Sequence, residues 1–156
     1  MKQLAIIMAW TLACQIVFAS TSEPEWPLIA RGSFEVKLTE QPADAAGGPF
    51  GRLLVSKQLH GDLEATSQGQ MLAAQTPVEG SAAYVAFETV SGTLKGKRGS
   101  FILQHRGTMR KGSYMMDVTI VPDSGTEELK GIAGTMRIII EGAKHSYELK
   151  YTLEGK

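Results

Sequence analysis

The chain has 156 residues, with 16 basic against 16 acidic side chains, one Cys and 43% hydrophobic content. That is the size of one domain with enough apolar material to bury a core. The even charge balance offers no net field to gather nucleic acid or an acidic membrane surface, and a single Cys excludes an internal disulfide framework.

The first stretch, MKQLAIIMAWTLACQIVFAS, has Lys2, an apolar run from Leu4 to Phe18, and Val17 and Ala19 placed for a cut ahead of Ser20. This is the layout of a secretory signal peptide. An uncleaved anchor is the competing reading, disfavoured by the small residues and by the lack of basic residues just after the run. Residues 1–19 are therefore expected to be removed, Cys14 with them, leaving an exported protein, periplasmic or secreted, with no membrane contact after cleavage. Residues 20–29, broken by Pro24 and Pro27, read as an extended tether, and 30–156 as the folded domain. The chain contains no Asn, so N-glycosylation is excluded and Gly is left to supply the turn conformations.

From Ala30 the pattern is one of strands. ARGSFEVKLT alternates, with Phe34, Val36 and Leu38 on one face. EQPADAAGGPFG is a long connection, and RLLVSKQLHGDLEATSQGQMLAAQT spans two strands or one strand bent near Gly69. SAAYVAFETVSGTL, GSFILQHRGTM, SYMMDVTIV, GTMRIII and HSYELKYTL follow, separated by turn-forming segments. SGTEEL fits a single helical turn, with Ser124 as cap and Glu127 three residues on. About eight short antiparallel strands suggest a sandwich or a closed barrel. Glycines inside the strand patterns, at Gly61, Gly92 and Gly107, favour the barrel as bulges or bends.

VPDSGT, Val121 to Thr126, has the letters of an aspartic-protease loop. Such an enzyme needs two carboxylates sharing a proton, and only one tetrad is present. Pro122 before Asp123 and the charged EELKG after it speak for a turn, with Gly125 able to take positive φ. The basic residues Lys95, Lys97 and Arg98 lie a strand's length from Arg110 and Lys111, so they make no single patch for nucleic acid. His60, His105 and His145 have no metal-ligand spacing, and no metal is expected.

The informative positions are polar residues on apolar faces. Lys57 shares its face with Leu53, Val55, Leu59 and Leu63; Glu88 with Tyr84, Ala86, Val90 and Leu94; His105 with Phe101, Leu103 and Met109. If these faces point inward, a base, an acid and an imidazole share one interior. Buried charges are costly unless paired or solvated. A salt-bridged core is one outcome; a pocket lined by tuned groups is the other. Lys57, Glu88 and His105, with Tyr84 and Tyr147, form the candidate ligand-binding set.

Four ordered blocks, KQLHGDLEATSQGQMLAA, GSAAYVAFETVSGTLKGKRGSFILQHRGTM, VPDSGTEELKGIAGTM and KHSYELKYTL, resemble a bacterial family of uncharacterised small proteins with a barrel like that of allene oxide cyclase and the plant dirigent proteins. The resemblance runs from about Ala30 to Leu153 and implies an all-β fold, a closed antiparallel barrel of about eight strands. It implies no established activity. Members of that family begin near the position of Ala30, so the signal peptide is judged on its own. The reading favoured is an exported barrel that holds a small hydrophobic molecule without a cofactor. A cofactor-free isomerase or cyclase using Glu88, Lys57 and His105 is the runner-up, and a filled barrel acting through protein contacts is the third. Homo-oligomerisation is left open.

Overall fold

The computed structural model describes residues 28–42 and 50–153. Eight strands follow one another: β1 (Leu28–Glu40), β2 (Phe50–Gly61), β3 (Leu63–Gln75), β4 (Ala82–Leu94), β5 (Lys97–Arg110), β6 (Ser113–Ile120), β7 (Ile132–Glu141) and β8 (Lys144–Leu153). Each pairs antiparallel with its chain neighbour, and β1 closes on β8, giving a barrel in sequential strand order. β1 starts at Leu28, opposite Tyr151, so the expected tether gives its last two residues to the sheet. The proposed signal peptide lies outside the described residues.

Period-two alternation decides which side chains fill the barrel. Inward residues of the half nearest the β4–β5 turn pack into one core that includes Leu59, Leu63, Leu94, Phe101, Ile132 and Leu149. Small barrels fill their interior with side chains in this way. The other half is less complete. There, among the described residues, the inward-facing Val36, Leu38, Met109, Tyr114 and Ile140 are 36% to 56% exposed and form an apolar cup.

The long β2–β3 stretch is two strands, as the first of the two sequence readings has it, parted at Gly61 (φ 107°) and Asp62; the alternative of a single strand bent near Gly69 does not form. Gly92 and Gly107 are not bulges, because both flanking ladders run through them in unbroken register. They are places where a neighbouring group lies too close for a Cβ.

The VPDSGT segment is a strap across the closed end. Ser124 N–H bonds to the Val121 carbonyl at 3.2 Å, with Pro122 second and Asp123 third at φ 59°, the arrangement of a type II turn. Positive φ therefore falls on Asp123 rather than on Gly125. A 3-10 turn spans Glu127–Leu129, capped by Thr126 without a side-chain bond, so Ser124 is not its cap. Instead the Ser124 hydroxyl accepts from Ile102 N–H at 3.0 Å and donates to the Val121 carbonyl at 2.7 Å. Thr126 serves Ser100, and the Glu128 carboxylate accepts from Arg98 N–H at 2.8 Å. The strap thus satisfies the β5 edge beyond the reach of the shorter β6. Leu129, 1% exposed, plugs the base. Between β6 and β7 the ladder is a single bridge, Thr119 to Thr135, whereas β5–β6 and β7–β8 are paired along most of their length.

Candidate functional site

Lys57 on β2, Glu88 on β4 and His105 on β5 point into the same interior, at the floor of the cup. Lys57 Nζ donates to Glu88 Oε1 at 2.7 Å, and His105 Nε2 lies 3.1 Å from the same oxygen. The other carboxylate oxygen accepts from the Ser67 hydroxyl at 2.6 Å. Side-chain exposures are 8% for Lys57, 2% for Glu88 and 4% for His105, so the charges are removed from bulk water. Lys57 also sits over the Phe34 ring, 5.2 Å from its centroid, where the aromatic face attracts the ammonium.

Glycine makes the reach possible. Glu88 and Lys57 are on strands separated by β3, and Glu88 is paired with Gly69. A Cβ at Gly69 would stand 2.7 Å from Glu88 Cγ and closer still to the Phe87 carbonyl oxygen. The missing side chain is the channel through which Glu88 crosses β3.

Burial by itself would raise the Glu88 carboxyl. The adjoining imidazole of His105 and the Lys57 ammonium outweigh it and hold the group down at about 2. Glu88 is therefore a carboxylate at neutral pH, and its Oε1 faces two nitrogens. His105 Nε2 must carry a hydrogen for its 3.1 Å approach to an anion to be attractive. That approach is too poorly aligned for a hydrogen bond, and Nε2 is the buried side-chain polar atom left without a partner among the described residues. Such an orphan costs stability and calls for an explanation.

Tyr84 lies above the trio. Its ring crosses Gly107, where a Cβ would stand 2.7 Å from the ring carbon that bears the hydroxyl. The hydroxyl is 2.9 Å from the Tyr114 hydroxyl and donates to Met116 Sδ at 3.1 Å. Burial first, then the bond to Tyr114 and the nearby charge of Glu88, push the Tyr84 phenol up. It stays protonated and forms part of the cup wall.

Tyr147 is placed elsewhere in the barrel. Its hydroxyl accepts from Leu63 N–H at 3.0 Å and donates to the His60 carbonyl at 3.2 Å, pinning β8 to the β2–β3 corner. It is 2% exposed and its hydroxyl is fully engaged. The structure does not bring it to the trio. His60 is on the outer wall, 3.3 Å from both Glu35 and Glu64, so the three histidines do not converge. His145 faces inward and packs against Phe34 with the rings tilted and their centroids 5.3 Å apart, adding an imidazole to the cup. Ser67 was not singled out from the sequence, although its hydroxyl stands in the Leu63–Ala65 face at period-two spacing.

A closed antiparallel barrel of eight strands, with a carboxylate ion-paired and buried on its inner wall, is the class of protein that fold and site define. The chain belongs to the DUF3224 family, described as protein of unknown function, whose model matches residues 30–151. It is similar to a DUF3224-family protein of unknown function from Shewanella oneidensis, known from a crystal structure. The two share 47% identity over 83% of this chain and 98% of that one, with a TM-score of 0.77. Among curated proteins, none matches the chain.

Proposed function

We propose that the protein, once exported, binds a small and largely apolar molecule in the open half of the barrel. The observation that carries this reading is His105 Nε2, which makes no hydrogen bond although it lies 3.1 Å from Glu88 Oε1, buried with Lys57 at the floor of an apolar cup. Ligand sites are concave, mostly apolar and marked by a few convergent polar groups.

The chemistry of those groups narrows the occupant. Lys57 Nζ and His105 Nε2–H are both donors, and Glu88 already accepts from Lys57 and Ser67. The bound molecule must therefore present an acceptor. Lys57 and Glu88 cancel in charge, so a neutral carbonyl preserves the balance while a carboxylate adds an uncompensated negative charge. Ketones, aldehydes and esters with an apolar body fit best.

The catalytic alternative, a cofactor-free isomerase or cyclase, asks Glu88 to exchange a proton near neutral pH. A carboxyl held at about 2 by His105 and Lys57 is poorly matched to that task. Binding is the better supported role.

Native mass spectrometry of protein taken directly from its own cells tests the reading. A retained small molecule, released on denaturation and carrying a carbonyl, is the expected result. Protein that is uniformly at its unliganded mass in repeated preparations counts against it.

A further inference from the structure

The outer wall of β2–β5 has an unusual composition. Five ladder rows cross these four strands, from Gln58–Thr66–Ser91–Ser100 to Phe50–Ala74–Ala83–Thr108. Arg52 and Arg106 are the ionisable side chains among these outward positions, and both stand at the flanks of one row. Arg106 is neutralised by Asp117 at 2.7 Å. Between the flanks, Leu72 (47% exposed), Val85 (46%) and Phe87 (52%) are directed outward, with Leu54 (43%) beside them. The polar neighbours are amides and hydroxyls, Gln70 and Gln104 flanking Phe87 on its own row.

We propose that this wall is the contact face between two copies of the chain. Charge depletion with exposed aromatic and aliphatic side chains is the composition of an interface core. The wall carries both halves of a self-complementary contact. Phe87 projects from β4, and a groove of about 480 Å³ lies on the adjoining outer face, lined by Lys37, Thr39, Leu54, Ser56, Gln68 and Gln70. A two-fold axis between them sets each Phe87 into the partner's groove, which is the reciprocity that an isologous dimer requires. Between the flanking arginines the polar side chains of the wall are amides and hydroxyls, so like-charge repulsion is confined to its margins.

Four strands at ~4.8 Å spacing and eight residue steps at ~3.3 Å trace about 500 Å² of wall, curved because these strands make half of the closed barrel. The contact is therefore centred on the rows that carry Phe87 and Val85 and lies at the small end of specific interfaces, so a reversible dimer is expected. The face lies on the outside of the barrel, so this inference stands or falls independently of what the cup holds.

Sedimentation velocity on the mature chain over a wide concentration range tests it, with Phe87→Lys, Val85→Lys and Met115→Lys. Met115 is 72% exposed on β6, paired with Thr108 at the outer corner of the wall, and serves as the peripheral comparison. The native chain should sediment as a dimer. Lys at position 87 faces Lys37 of the groove and should weaken the dimer about 100-fold or more, and Val85→Lys should weaken it too. Met115→Lys should leave it unchanged, and circular dichroism should show all three variants folded. A chain that is monomeric at every concentration, a closed assembly larger than a dimer, or a dimer indifferent to both wall substitutions overturns the proposal. So does a monomer that co-sediments with phosphatidylglycerol vesicles through Phe87, which assigns the wall to a lipid surface.

Discussion

Glu88 passes over Gly69, and only the absence of a side chain there lets its carboxylate meet Lys57 two strands away. Gly69→Ala forces the new methyl against Glu88 and against the Phe87 backbone, which cannot yield as a side-chain tip would. A loss of about 2–3 kcal/mol or more is expected, the upper range for overpacking. Gly142→Ala is the comparison: nothing lies within 4 Å, and its φ of 61° should cost only about 1–2 kcal/mol. Equal losses in urea unfolding would contradict the crossing.

Glu88 links stability to acid. Its folded pKa, about 2, is below the ordinary 4.5, because His105 and Lys57 overcome the effect of burial. The carboxylate therefore contributes fully above pH 4.5, and that contribution is lost as pH falls from there through about 2. The shift corresponds to about 3 kcal/mol. Breaking a buried pair from one side typically costs ~3–5 kcal/mol. Glu88→Gln should lower unfolding free energy by such an amount at neutral pH, and the gap to the native chain should narrow toward pH 2. A constant gap across that range excludes the linkage.

Asp123 holds a left-handed backbone, φ 59°, in the strap. Asn tolerates that conformation well and Val does not. Asp123→Asn should leave the thermal midpoint nearly unchanged, while Asp123→Val should cost about 1–2 kcal/mol. No acid-dependent cleavage of a denatured protein should appear in either chain. Peptidase activity abolished by Asp123→Asn would return the segment to the protease reading.

The barrel was legible because strand alternation is a local property. The faces holding Lys57, Glu88 and His105 could be counted from the letters, and all three converge. Tyr147 sits on an equally apolar face, yet its hydroxyl is spent on the His60 and Leu63 backbones, and that choice depends on which strands close the barrel. Ser67 and Gly69 were harder to see for the same reason. Their roles exist only once β3 lies between β2 and β4. In the strap, propensity pointed to Ser124 as a helix cap, but an edge of β5 needed acceptors more.

The proposed export rests on Lys2, the Leu4–Phe18 run and the small residues before Ser20. N-terminal sequencing of the protein from a secreting host should begin at Ser20 or within a few residues of it. Intact Met1 recovered in a membrane fraction would refute processing at that site.

The most direct test of the binding role is titration of the folded chain with a straight-chain methyl ketone and with the carboxylate of equal length. Calorimetry gives the affinities, and ¹⁵N spectra of the histidine rings report contact at His105 Nε2. The ketone should bind saturably and more tightly than the carboxylate, with a selective shift of the His105 resonance. His105→Phe, which keeps the Lys57–Glu88–Ser67 contacts, should weaken ketone binding by about tenfold, the loss of one hydrogen bond of roughly 1.4 kcal/mol. Ketone binding that leaves His105 unmoved and is unaffected by His105→Phe, or no saturable binding of either probe, would contradict a ligand seated on this trio.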